Sequence, residues 1–176
     1  MRTVQGARLV LEPQTAAHAP EMFAVLSDPA IYEHENEPPR SLEWLRERYR
    51  RLESRRSSDG RETWLNWVIR LSSGEAIGYV QATVRADGDA AIGYELASAH
   101  WGRGLAREAV EAMVGELAAR YGVRHLWAVL KRTNARSRRL LDRLGFVVAA
   151  DAERRRRDVD DDEWLMHRAA AAPAAL

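Results

Sequence analysis

The sequence predicts a mixed α/β domain, and three observations carry that prediction. Residues 63–71, 76–84 and 90–97 are short apolar runs separated by turn residues, the pattern of an antiparallel meander. From Ala106 the apolar residues change to 3-and-4 spacing (Ala109, Val110, Met113, Leu117, Tyr121), the period of an amphipathic helix. Between the two lies Trp101-Gly102-Arg103-Gly104, a glycine-bearing turn from strand to helix.

The remaining elements follow in order. Residues 8–12 (RLVLE) alternate apolar and polar and read as a first strand, ended by Pro13. Thr15 is the expected N-cap of a helix reaching Leu26, with Pro20 tolerated in its first turns. Asp28-Pro29 stops it, and residues 32–40 (YEHENEPPR) form a polar, acidic loop. Ser41 caps a second helix to Ser54, with Leu45, Tyr49 and Leu52 on one face. Asp87-Gly88-Asp89 turns the last hairpin of the meander. Gly122 ends the long helix, and Val123 to Leu130 is a strand expected to run parallel to its predecessor, since a helix joins them. Asn134 caps a further helix that Gly145 closes. Phe146 to Ala150 and Glu163 to Arg168 are read as the last two strands, with the charge run of residues 153–163 between them. No linker or internal repeat divides the chain, so residues 1–168 are expected to be one domain and 169–176 a disordered, alanine-rich tail.

Composition removes several function classes. The 176 residues include no cysteine, which excludes disulfides, thiolate metal sites and a cysteine acyl-enzyme. His18, His125 and His167 show no metal-ligand spacing, so no metal is expected. The net charge of +1 gives no global field for nucleic acid. Arg154 to Arg157 could touch RNA, but Asp158, Asp160, Asp161, Asp162 and Glu163 nearly cancel it, so internal pairing is the better expectation. No signal peptide or membrane span is legible, which makes a cytoplasmic protein the default.

The chemistry-bearing segment is Trp101 to Ala109. Glycines there let backbone N–H groups face a ligand without an obstructing Cβ, and the following helix adds its free N-terminal donors and positive dipole end. Together these form an anion site suited to a phosphate chain; a tight turn with no ligand is the alternative. The segment is neither a Rossmann fingerprint nor a Walker A loop, since the third glycine and the Gly-Lys-Ser/Thr ending are absent.

Gly104 and Ala106 match the last two positions of the Gln/Arg-x-x-Gly-x-Gly/Ala signature of GNAT acetyltransferases, with Trp101 where Gln or Arg is usual. The Trp-Gly-Arg-Gly-x-Ala-x-Glu-Ala form resembles the ribosomal-protein N-terminal acetyltransferase (RimJ/RimL-type) branch. Asn134-x-x-Ser137-x-x-Leu140-Leu141-x-x-Leu144-Gly145-Phe146 resembles a second family motif, and Ile92 to Leu96 resembles the family's fourth strand.

The resemblance implies a mostly antiparallel sheet, flanked by helices, whose fourth and fifth strands splay apart. The pantetheine arm of acetyl-CoA would enter that gap and pair with Leu96 and Ala97. Gly102, Arg103, Gly104, Leu105, Ala106 and Arg107 would surround the pyrophosphate, and Asn134 would contact the pantetheine or the phosphates. Arg138 and Arg139 flank the second motif and could also meet phosphate.

The implied reaction is direct attack by a primary amine, either a protein N-terminus or a small molecule, in a ternary complex. Glu95, beside the pantetheine strand, is the candidate base; an exposed or ion-paired strand glutamate is the alternative. Many members carry a tyrosine acid four residues beyond the Ser137 position. Leu141 stands there; the resemblance to the RimJ/RimL-type branch, where a serine at this position is a proposed acid, implies Ser137 as the candidate acid, the alternative being a helix serine bonded to backbone. Glu33, His34, Glu35 and Glu37 could attract a cationic amine or be a solvated acidic loop. His100 is a helper or a loop residue. Trp44, Trp64 and Trp67 line a substrate pocket or, the better expectation, pack in the core or an interface. A non-catalytic acyl-CoA sensor on the same fold is the competing function, and a homodimer is left open.

Overall fold

The computed structural model describes residues 1–170. The chain opens with β1 (Val4–Gln5) and β2 (Leu9–Pro13), then a 3-10 turn at Ala16–His18 leads into α1 (Ala19–Val25). The expected single helix from Thr15 to Leu26 is thus broken in two. Thr15 and His18 make a capping box on the 3-10 turn, and Pro20 takes a start position of α1, where its missing N–H costs nothing. A second 3-10 turn (Pro29–Tyr32) precedes α2 (Leu42–Leu52), capped by Ser41, whose hydroxyl accepts from Trp44 N at 3.1 Å.

The meander follows as β3 (Glu62–Leu71), β4 (Ala76–Arg85) and β5 (Asp89–Leu96). Then come α3 (Leu105–Tyr121), β6 (His125–Lys131), α4 (Ala135–Arg143), β7 (Val147–Val148), α5 (Asp151–Arg156) and β8 (Glu163–Ala169). The eight strands form one sheet in the order β1-β2-β3-β4-β5-β6-β8-β7. Every pairing is antiparallel except β5 with β6, the pair that α3 joins.

Alternation along the strands sends side chains to two cores. Leu65, Trp67 and Ile69 of β3, with Val80, Ala82 and Val84 of β4, pack against α3. Val68 faces the other way, against Ala19 and Met22 of α1 and Leu45 and Tyr49 of α2. Because β3 is covered on both faces, Leu65 to Ile69 are all buried, an unbroken run rather than an alternating one.

The structure departs from the sequence reading near the C-terminus. The strand expected over Phe146–Ala150 shrinks to two residues at the sheet edge, and the Phe146 side chain is buried. The first residues of the charge run belong to α5, whose Asp151 and Glu153 sit at the positive end of the helix and Arg154 to Arg156 at the negative end. Internal pairing of the arginines is observed: Arg154 bonds Asp161 at 2.6 Å, and Arg157 reaches Asp89 and lies 3.7 Å above the Trp127 ring. Ala169, expected in the tail, pairs with His125, and Ala170 N donates to Arg124 O at 2.8 Å. The rest of that tail, 171–176, lies outside the described residues. Among the described residues no helix is long and apolar enough to cross a membrane.

Candidate active site

β5 and β6 run together for three residue pairs, Asp89–His125, Ala90–Leu126 and Ala91–Trp127, and then part. β6 pairs with β8 to its end, while β5 continues to Leu96 paired with β4 alone. Residues 92–96 therefore present one backbone edge to a gap inside the sheet. Trp101 closes the end of that edge: its indole N–H donates to Leu96 O at 2.9 Å, and the Arg136 guanidinium lies 3.5 Å over its ring.

The turn after Trp101 holds two left-handed glycines, Gly102 at φ +74° and Gly104 at φ +76°. A Cβ on Gly102 would meet nothing within 4 Å, so backbone conformation rather than crowding requires glycine there. Gly104 is the N-cap of α3 and no side chain caps that helix, which leaves its first-turn N–H groups free for a ligand. Arg8 fastens the turn: its Nη1 donates to Arg103 O at 3.0 Å and its Nε to Glu108 Oε2 at 2.7 Å. Burial pushes the Glu108 carboxyl up, but the bonds from Arg8 outweigh it and leave the group below the ordinary carboxylate value.

Glu95 stands opposite Tyr79 across the β4–β5 ladder and accepts from Asn36 Nδ2 at 3.3 Å. Asn36 adopts φ +65°, a conformation asparagine tolerates. Its loop is tied to the end of β5 by Asp28, which accepts from Ser98 N at 2.6 Å. Glu95 has no ion-pair partner among the described residues and is half-buried, so neither a fully exposed nor an ion-paired glutamate describes it. Burial raises its pKa to about 7, against the stabilising hydroxyl of Tyr79; the nearby Glu35 adds to the rise. Glu35 is itself raised, first by burial and then by Glu163.

On the opposite face of β5, Tyr94 sends its hydroxyl to Ser137 Oγ at 2.6 Å. Ser137 sits in the first turn of α4, where its N–H donates to the Asn134 side chain at 3.0 Å. The Ser137 hydroxyl thus meets a phenol, not the backbone. Leu141, at the position usual for a tyrosine, is buried in the core. A tyrosine nevertheless reaches this corner from β5. Burial pushes the Tyr94 pKa up to about 12, partly offset by the bond to Ser137.

A cavity of about 840 Å³ follows the gap. Glu95, Leu96, Gly102, Gly104, Leu105, Ala106, Arg107, Asn134 and Ser137 all line it. Ala97 and Arg103 do not: the Ala97 N–H donates to Ile77 O at 2.9 Å, facing away from the gap, and Arg103 turns its Nη1 to within 3.4 Å of His100 Nδ1. Arg139 lines the cavity, whereas Arg138 turns to Asp142 at 3.0 Å. His100 is buried against Glu75, with Nε2 3.1 Å from Oε1. Of the tryptophans, Trp67 is core and Trp64 is half-buried, but Trp44 is exposed. It borders a second cavity of about 260 Å³ on the α1–α2 side. Asn36, Tyr79, Gln81 and Glu95 line both spaces, so the two meet at Glu95.

Arg8, Asn36, Tyr79, Gln81 and Tyr94 are the site residues that sequence reasoning passed over. Only Tyr94 left a signal: it neighbours Glu95 on a strand, so the two must point to opposite faces.

The sequence matches the acetyltransferase (GNAT) domain family over residues 8–147. No curated protein matches it. Among solved structures, RimL, the ribosomal L7/L12 α-N-protein acetyltransferase in complex with coenzyme A, superposes with TM-score 0.79 at 17% identity, covering 97% of this chain and 99% of that one. The ribosomal-protein-S5-alanine acetyltransferase of Vibrio fischeri gives TM-score 0.75 at 17% identity and covers 96% of each chain. An acetyltransferase of Thermus thermophilus gives 0.72 at 25% identity, over 92% of this chain and 97% of that one. The splayed sheet and the family match agree: the chain belongs to the GNAT family and is an acetyl-CoA-dependent acetyltransferase.

Proposed function

We propose that residues 1–170 form a single N-acetyltransferase domain. It passes the acetyl group of acetyl-CoA to a primary amine by direct attack in a ternary complex, with Glu95 as base and Ser137, backed by Tyr94, as acid. The observation that carries this reading is the meeting of two cavities at a raised carboxyl.

The residues present fit acetyl-CoA. The free edge of β5 from Ile92 to Leu96 suits a strand-like amide arm, and the left-handed glycines with the uncapped start of α3 suit a diphosphate. When bound, acetyl-CoA supplies an activated acyl carbon and a thiolate leaving group. Glu95, with a pKa of about 7, takes the proton from the incoming ammonium at neutral pH. Free N–H groups along the β5 edge polarise the acyl oxygen. The Ser137 hydroxyl gives the departing sulfur a proton and recovers one from Tyr94, 2.6 Å away. One C–N bond forms and one C–S bond breaks; of the two protons the ammonium loses, one leaves through Glu95 and the other, released as the amide forms, restores the Ser137–Tyr94 pair.

The motif form and the RimL and S5-alanine acetyltransferase folds support the RimJ/RimL-type branch, whose named members act on ribosomal proteins. A thiol-release screen over peptides with different N-terminal residues, free amino acids and polyamines tests the reading. Thiol release above background with at least one amine is expected. Binding of CoA with no release from any amine makes the protein a sensor instead.

A further inference from the structure

We infer that the smaller cavity beside Glu95 is the acceptor pocket, and that it takes a free α-amino acid with a polar side chain rather than a protein N-terminus or a polyamine. This rests on the transferase reading and narrows its acceptor.

Position comes first. The cavity opens onto the same carboxyl as the larger one, so an amine held in it lies next to the base. Its volume, about 260 Å³, is below the roughly 300 Å³ where pockets for drug-sized ligands begin. It holds one residue-sized molecule.

Charge comes second. Arg48 borders the cavity from α2, its guanidinium 5.7 Å from the Trp44 ring. Among the described residues it has no carboxylate partner; Glu47, beside it in sequence, pairs with Arg50 at 3.1 Å. Its charge is felt at Glu95, Tyr79 and Tyr49. One pocket therefore offers a proton acceptor for an ammonium and a free guanidinium for a carboxylate, the two ends of an amino acid. Glu37 also borders the cavity, so what separates an amino acid from a polyamine is the carboxylate that Arg48 can pair with. A peptide would place a neutral amide there.

The floor comes third. Gln14, Asn66 and Tyr49 line it and are 4%, 5% and 3% exposed. The Tyr49 hydroxyl is buried with no hydrogen-bond partner, and the side-chain amides of Gln14 and Asn66 lie beside it on the same wall. Buried polar groups are normally satisfied. An unused hydroxyl on the wall of a cavity calls for a ligand that hydrogen-bonds, so an apolar side chain is disfavoured.

The test compares matched acceptors by thiol release: serine, threonine, asparagine and glutamine; their carboxamides; tripeptides starting with the same residues; and spermidine. The free acids are expected to exceed their amides and peptides about tenfold in kcat/KM, the scale of one charge-assisted hydrogen bond. In Arg48→Gln that ratio is expected to fall toward one, through KM for the acids. Amides, peptides or spermidine used as well as the acids would overturn the inference and leave the transferase reading standing. So would Arg48→Gln lowering every acceptor alike through kcat. No release with any acceptor, in protein that gives a calorimetric signal with CoA, would overturn both.

Discussion

Replacing Glu95 with glutamine is expected to lower turnover and raise stability together. Burial lifts this carboxyl from 4.5 to about 7. At 1.36 kcal/mol per unit, holding it ionised in the fold costs at most about 3 kcal/mol. The sign follows from linkage: the folded protein binds this proton more tightly than the unfolded chain, so stability falls as pH rises between the two values. Glutamine keeps the neutral shape and never ionises. The variant should therefore melt at nearly the wild-type temperature near pH 5 and up to about 10 °C higher near pH 8, using 2–4 °C per kcal/mol for a domain of this size. Its kcat should fall by about 10²–10⁴-fold with acetyl-CoA affinity retained. Wild-type kcat should itself rise with pH through about 7. Melts across that range, paired with thiol release, measure both. A melting difference independent of pH, or unchanged turnover, would refute the reasoning.

Ser137→Ala and Tyr94→Phe should each lower kcat on the order of 10²-fold, and the double variant should be little worse than either, because the two hydroxyls act as one acid. Steady-state rates with CoA affinity as control decide it; additive losses would separate them. Gly104→Val should abolish CoA binding by calorimetry in a protein that still folds. Its φ of +76° costs a side chain about 1–2 kcal/mol, and the valine enters the phosphate cradle. Undiminished affinity would remove the turn from the site. Tyr49→Phe should leave stability unchanged or raise it by up to about 1 kcal/mol, since the lost hydroxyl has no partner. A lower melting temperature would count against an unpartnered hydroxyl.

What was legible in the sequence is what short-range physics dictates. The meander, the long helix and the parallel β5–β6 pair follow from periodicity and from the hand of a helix-linked crossover. Glycines 102 and 104 follow from the turn they must make. The site's other half was hidden because contacts between distant residues make it. Asn36 reaches Glu95 across fifty-nine positions and Tyr94 reaches Ser137 across forty-three. Nothing local in Arg8 announces a bond to Arg103 O, and the direction of the Ala97 N–H depends on the β4 register. The missed α5 has a different cause. Its residues are so charged that no apolar period marks the helix, and only the order of signs, acidic then basic, suits one.

The parting of β5 from β6 leaves a row of main-chain groups recessed within the sheet instead of at its rim. The recess shields that row from pairing with a second molecule, a hazard that exposed borders carry. Any extended ligand with amides of its own can complete the ladder, adding protection against amide exchange at the alternate residues of 92–96 that face the gap. Occupancy thereby couples to global folding by mass action, so the melting temperature becomes a gauge of cosubstrate concentration.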